Sequence, residues 1–240
     1  MTTLIVGASG ATGHKLVGEL LGRGKKVKAV VRSTASLPSS LTDNPNLTVI
    51  QANILDLSDA EIEAHLDGCD AVASCLGHNL TFKGMFCEPR RLVTEATRRL
   101  CKALKKTSPD QPAKFVLMNT TGNRNRDLNE PISFAQKCVI SLLRLLLPPH
   151  LDNEEAANFL RTETAAGPYN VEWVAVRPDG LIDLDTVTEY ELHPSPTRSA
   201  IFNAGTTSRI NVAHFMADLI TEDDLWQQWK GRMPVIYNKD

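Results

Sequence analysis

The stretch LIVGASGATGH, Leu4 to His14, narrows the possible folds more than any other part of the chain. A short apolar run leads into Gly7, Gly10 and Gly13, and helical periodicity follows. Glycines so placed can serve three needs: a tight turn, close approach of backbone to a pyrophosphate, and close packing of helix on strand. The helix N-terminus adds unpaired N–H groups and a partial positive charge aimed at phosphates. The spacing is G-x-x-G-x-x-G, not the G-x-G-x-x-G of the usual dinucleotide fingerprint. Alone, the triplet suits a plain turn or tight packing equally well. Its place between a strand and a helix, at the head of a long β-α alternation, favours dinucleotide binding.

That alternation continues down the chain. Strands are expected at Thr3–Val6, Lys26–Arg32, Leu47–Ala52, Ala71–Leu76, Lys114–Asn119 and Val171–Arg177. Several are near-continuous apolar runs, as strands covered on both faces require. Helices are expected at Thr12–Arg23, Ser58–Leu66, Arg90–Lys106, Ser133–Leu147 and Asn153–Ala165. Gly24 suits a left-handed C-cap of the first, and Ser58 with Glu61 a capping box. In Leu147–Leu160 the paired prolines read as the end of one helix. Asp152 or Asn153 then caps the next, with Glu154 and Glu155 in its positive first turn. The pattern is α/β: a doubly wound, Rossmann-type parallel sheet with helices on both faces. After Pro178 turn formers dominate, giving a loop with one or two short strands, a helix at Asn211–Ile220 and a final strand in MPVIYN. Residues 1–240 are read as a single domain, with 179–240 forming a small cap on the substrate side.

The end of the second strand bears on which dinucleotide is held. An NAD-preferring site places an acid there for the ribose 2′-hydroxyl. Here Arg32 occupies that place, with Ser33 and Thr34 beside it. A guanidinium clamps a 2′-phosphate through two N–H groups, so NADP(H) is favoured over NAD(H). The plainer reading of Arg32 is a solvated residue at a strand end.

Composition removes other classes. With 26 basic and 28 acidic residues, the net charge of −2 gives no reason to expect nucleic-acid or anionic-membrane binding. The five cysteines, Cys69, Cys75, Cys87, Cys101 and Cys138, form no C-x-x-C pair, which suggests free thiols and no metal site. CVISLLRLLLPP (Cys138–Pro149) falls short of the roughly 20 residues a spanning helix needs. It reads as a core helix, or as one facing a lid, a membrane or a second copy. The first residues lack the basic start of a signal peptide, so a cytoplasmic protein is expected.

Together, GASGATGH, VVRS and WVAVRPDGL resemble the atypical short-chain dehydrogenase/reductase superfamily, in particular its NmrA-like and flavin/biliverdin-reductase-like branch. The likeness spans Thr3 to about Leu181 and returns in TSRINVAHFMADLI (Thr207–Ile220), similar to that branch's S-R-x-D-V-A helix start. The resemblance implies that Gly7, Ser9, Gly10, Ala11, Thr12 and Gly13 hold the pyrophosphate. Arg32 and Ser33 would face the adenosine phosphate, and Asn53 and Ile54 would flank the adenine. Cys75, Leu76 and Gly77 would lie by the nicotinamide-side ribose, and Asn119, Thr120 and Thr121 would approach the nicotinamide.

The superfamily's Tyr-x-x-x-Lys pair is missing. None of Tyr169, Tyr190 and Tyr237 has a lysine four positions on. The nearest counterpart is SFAQK, with Ser133 in the tyrosine's place and Lys137 a helical turn later, where it can still bind the nicotinamide ribose. Serine is a poor acid without a base of its own. His78, in CLGHN, is the most suggestive alternative for delivering a proton, or is a loop histidine with no chemical role. Thr121 either hydrogen-bonds an acceptor oxygen or caps a turn. His150, Asp152 and Glu155 fit no metal template, although a glutamate near Glu155 shapes the substrate side in the related branch.

The resulting expectation is an NADP(H)-dependent oxidoreductase. It would pass hydride to a small planar acceptor bound between the strand-five loop and the C-terminal region, with Thr121, Lys137 and His78 as candidate catalytic residues. The alternatives are a non-catalytic NADP(H) sensor that reports to a protein partner, and a nucleotide-sugar epimerase or dehydratase. A homo-oligomer fits any of these.

Overall fold

Leu4 and Val6 leave their strand on one side and Ile5 on the other, and all three are buried. A sheet with both faces covered follows directly. The computed structural model describes residues 1–78, 89–108, 111–164 and 169–239. Cys87, and the expected helix end at Ala165, lie outside the described residues.

Strands β1 (Thr2–Val6), β2 (Lys26–Val31), β3 (Leu47–Gln51), β4 (Ala71–Ser74), β5 (Ala113–Met118) and β6 (Val171–Pro178) match the expected strands to within two residues at each end. Beyond them come β7 (Gly180–Ile182), β8 (Tyr190–His193), β9 (Thr206–Ser208) and β10 (Val235–Asn238). The main sheet runs β3-β2-β1-β4-β5-β6-β10-β8, parallel except where β8 meets β10. The order reverses direction between β1 and β4, which opens a crevice at the carboxyl ends of those strands.

Helices α1 (Gly13–Gly22), α2 (Ser39–Thr42), α3 (Asp59–Leu66), α4 (Leu92–Thr107), α5 (Phe134–Leu146), α6 (Pro148–Phe159), α7 (Arg209–Thr221) and α8 (Asp223–Trp229) follow in chain order. One face of the sheet packs on Ile62 of α3, Leu100 of α4 and Ala156 of α6; the other packs on Leu16 of α1, Phe215 of α7 and Trp226 of α8. Gly24, at φ +68°, and the Ser58–Glu61 capping box close their helices as expected.

Three expectations need correction. The prolines end α5 at Leu146 as expected, but no separate cap follows them: Pro148 and Pro149 themselves open α6, where the missing N–H costs nothing because first-turn donors have no partner within the helix. Asp152 and Asn153 therefore sit within α6 and do not cap it, and Glu154 and Glu155 lie beyond its first turn. The segment after Pro178 forms three short strands, not one or two: β7 and β9 pair with each other, and β8 joins the main sheet through β10. Helix α8 was not expected. Its Trp226 indole N–H donates to Glu172 of β6 at 2.7 Å, which fixes the short helix to the sheet.

Candidate functional site

The glycine loop divides its tasks among its members. Gly7 has φ +73°, and a Cβ there would stand 2.5 Å from the backbone of Cys75, so β1 and β4 can come together only with glycine. A Cβ on Gly13 would lie 2.1 Å from the Gly7 carbonyl oxygen, so this glycine lets α1 press onto the turn. Gly10 donates its N–H to that same oxygen at 3.0 Å, and the nearest atom to an added Cβ is 3.2 Å away. No side chain caps α1 and no carboxylate lies in its first turn. Its orphan N–H groups and partial charge are left for an anion.

A cavity of about 520 Å³ opens above this loop. Gly7, Ser9, Gly10, Ala11 and Thr12 line its middle; Arg32, Asn53 and Ile54 line the side toward β2 and β3. Cys75, Leu76, Gly77, His78 and Asn119 line the side toward β4 and β5. The strands explain this convergence, since β2, β4 and β5 end at Val31, Ser74 and Met118, just before these residues. Gly13, Ser33, Thr120, Thr121 and Lys137 do not line the cavity. Gly13 is packed beneath it, Ser33 and Lys137 are exposed, and Ser133 caps α5 by accepting the Gln136 N–H at 3.1 Å. None of the tyrosines lines the cavity. Thr121 is buried with its hydroxyl donating to Asp179 at 3.0 Å.

Sequence reasoning missed several parts of the wall. Asn153, Leu181 and Arg209 line the cavity from α6, β7 and α7, brought there by long-range packing. Asn119 is aimed by its neighbours: its amide donates to the Asn153 carbonyl at 2.9 Å, and its oxygen accepts the Thr120 N–H at 2.9 Å. Arg99 of α4 pins the loop carrying Asn53 and Ile54 by donating to the carbonyls of Ile54, Leu55 and Leu57.

The most consequential missed contact is between His78 and Asp152. His78 Nε2 lies 2.7 Å from Asp152 Oδ2, both side chains being almost wholly buried. The same carboxylate accepts the N–H groups of Val93 at 2.8 Å and Thr94 at 2.9 Å. Asp152 thus caps a helix after all, but the helix is α4, reached from the middle of α6. Burial works to raise its pKa, yet the hydrogen bonds from His78, Thr94 and Val93 outweigh burial and hold it below the ordinary carboxylate value. An ionised carboxylate only accepts, so His78 Nε2 carries the proton. His150 and Glu155 do not join Asp152: His150 lies 3.3 Å from Glu154, and Glu155 pairs with Arg91. Among the described residues no cluster of side chains suits a metal ion, and no helix is long and apolar enough to cross a membrane. The Cys75 thiol is pushed up to about 12 by burial, too high to act as a nucleophile near neutral pH.

The residues fit a dinucleotide: a cradle that Cβ atoms would fill, an uncapped helix end, and Arg32 exposed at one side with no ion pair among the described residues. The known proteins agree. A Veillonella parvula short-chain dehydrogenase/reductase solved in complex with NADP superposes with a TM-score of 0.71 at 18% identity, covering 99% of this chain and 94% of that one. The anaerobilin reductase of Escherichia coli O157:H7 gives 0.70 at 16% identity, covering 100% and 98%. At such identity these likenesses establish the fold. An uncharacterized chloroplastic protein of Arabidopsis thaliana is 24% identical over 220 residues, 92% of this chain and 72% of its own length. The NAD(P)H-binding family matches residues 7–223, from the first glycine of the loop into α8, and this chain belongs to it.

Proposed function

We propose that the chain is an NADP(H)-dependent oxidoreductase that reduces a small planar conjugated acceptor, a flavin, quinone or similar molecule, without a Tyr-x-x-x-Lys pair. The observation that carries this reading is His78, in the wall of the cavity that holds the glycine loop and paired with the buried Asp152. Reduced NADP, when bound, supplies the hydride. The chain's own residues do the rest. Backbone at Gly7–Gly13 and the α1 end hold the pyrophosphate, and Arg32 receives the 2′-phosphate. Asn53 and Ile54 flank the adenine, while Cys75, Leu76, Gly77 and Asn119 line the opposite end. His78 holds a proton at Nε2 against Asp152 and exchanges one at Nδ1, the role that the missing tyrosine fills elsewhere.

NADPH oxidation followed with a panel of flavins and quinones, for the native chain and Gly10→Val, tests the reading. Turnover by the native chain and none by the variant is expected; no turnover with any acceptor defeats it. One observation favours a second reading, a sensor that reports the nucleotide to a protein partner: Ser133 is engaged as a helix cap and Lys137 points to solvent. Tight binding of both nucleotide forms without turnover would select it.

A further inference from the structure

A second groove, of about 480 Å³, lies beside the cofactor cavity. Thr121, in its wall, is two residues from Asn119 in the wall of the first. Consecutive Cα atoms are about 3.8 Å apart, so these two are within about 7.6 Å of each other. One side is apolar, with Pro131, Ile132 and Ile140. Pro196 and Phe202 also line the groove, and Phe202 is 60% exposed. The Ser199 hydroxyl donates to Gln136 Oε1 at 3.0 Å and ties the loop between β8 and β9 to α5 across the groove.

Two arginines, Arg124 and Arg198, both exposed, also line the groove. Three other arginines nearby are paired with acids, Arg144 with Glu154, Arg161 with Asp127, and Arg177 with Glu130, while Arg126, on the same loop as Arg124, lies outside the groove wall. Arg124 and Arg198 have no carboxylate partner among the described residues. Arg198 lies over the Tyr237 ring, 5.9 Å from its centroid, which leaves its N–H edge open. The one carboxylate in the wall, Glu130, is neutralised: its two oxygens accept from Arg177 at 2.8 and 3.2 Å and from the Asn125 N–H at 2.8 Å. The groove therefore combines an apolar floor with uncompensated positive charge.

We infer that the groove selects acceptors bearing an acid group, a carboxylate, sulfonate or phosphate, on a flat ring system. Arg124 and Arg198 hold the acid through charge-assisted hydrogen bonds, and Ile132, Ile140 and Phe202 cover the rings. This rests on the oxidoreductase reading above and adds the substrate class to it.

Acceptors matched in ring and differing in charge test it: riboflavin against flavin mononucleotide, and 1,4-naphthoquinone against its 2-sulfonate. The acid member of each pair is expected to show a KM at least about tenfold lower, a preference that weakens with added salt. In the double variant Arg124→Gln/Arg198→Gln, shown folded by its binding of NADPH, the KM ratio within each pair should fall to about one. Quenching of flavin fluorescence by the NADP⁺-saturated protein reads the same preference without turnover. Equal KM values within both pairs, or a ratio unchanged in the double variant, overturn the inference. Quenching that favours flavin mononucleotide while nothing is reduced sustains the groove and defeats the hydride reading. Reduction without charge preference does the reverse.

Discussion

His78 Nε2 and Asp152 Oδ2 stand 2.7 Å apart, joining the loop after β4 to the middle of α6. The other bonds of that carboxylate run to the first turn of α4. One acidic side chain thus fixes the tautomer of a histidine in the cavity wall and satisfies the start of a helix, so chemistry and stability meet at Asp152.

His78→Gln should lower kcat about 100-fold or more, the lower end of what a positioned proton donor contributes, and leave NADPH binding nearly unchanged. The glutamine amide can still donate to Asp152 but has no proton to exchange. Stopped-flow kinetics and calorimetry on the same preparation separate the two effects. A kcat within twofold of the native value would assign protonation to water.

Asp152→Asn bears on stability. The folded pKa of Asp152 lies below its unfolded value of about 3.8, so the group binds fewer protons folded than unfolded at acid pH. Its contribution is complete above the unfolded pKa and fades as pH falls below about 4 through the depressed folded pKa. Urea unfolding between pH 3 and 7 should show the variant less stable at neutral pH, with a smaller loss on acidification. Parallel curves for the two proteins would place the carboxylate outside the linkage.

What the sequence made readable follows from the range of the interactions. The strands and the glycine loop depend on local pattern, and both were foreseen within two residues at the strand ends. Asp152 shows the limit. Aspartate preceding Asn153 and two glutamates looks like a local cap, because neither the Pro-Pro helix start nor the distant α4 is visible at that scale. Asn153, Leu181 and Arg209 were missed for the same reason: each enters the cavity from an element whose position is set by the sheet order. Lys137 was located by resemblance to a pattern whose tyrosine is absent and Thr121 by its place after the fifth strand, and neither lines the cofactor cavity.

The glycines should respond unequally. Gly13→Ala puts a methyl 2.1 Å from the Gly7 carbonyl oxygen, within the backbone itself, and should destabilise the fold by several kcal/mol. Gly10→Ala meets its nearest atom at 3.2 Å, a contact that small shifts relieve. It should fold and bind NADPH at least tenfold more weakly, since its methyl enters the phosphate cradle. Thermal melts paired with calorimetry distinguish the two; equal losses of stability would contradict the assignment.

Arg177, wholly buried in β6, donates to Glu130 and to the carbonyls of Asn123, Met233 and Pro194, holding the β5 loop, the start of β10 and the loop after β8 together. Arg177→Met leaves Glu130 buried without its partner and should cost about 3–5 kcal/mol. The double change Arg177→Met/Glu130→Leu should recover part of that loss, because no charge is then left stranded. Chemical denaturation of the three proteins measures it, and a double variant no more stable than the single would place the cost in the lost carbonyl bonds.

Coenzyme choice turns on Arg32. The side chain is exposed at the cavity wall with no ion pair among the described residues, and nothing acidic occupies the position beyond β2 where an NAD-preferring site carries its acid. A charged hydrogen-bonded contact contributes about 1.5–3 kcal/mol, or roughly 10–150-fold in affinity. Arg32→Ala should weaken NADPH by a factor in that range and leave NADH within about twofold, because only the phosphorylated coenzyme presents an anion there. Arg32→Asp should go further and reverse the preference, repelling the 2′-phosphate while accepting from the free 2′-hydroxyl. Calorimetry with both coenzymes checks each variant. An Arg32→Ala protein that weakens NADPH and NADH alike would show that the arginine shapes the adenosine pocket without reading the phosphate.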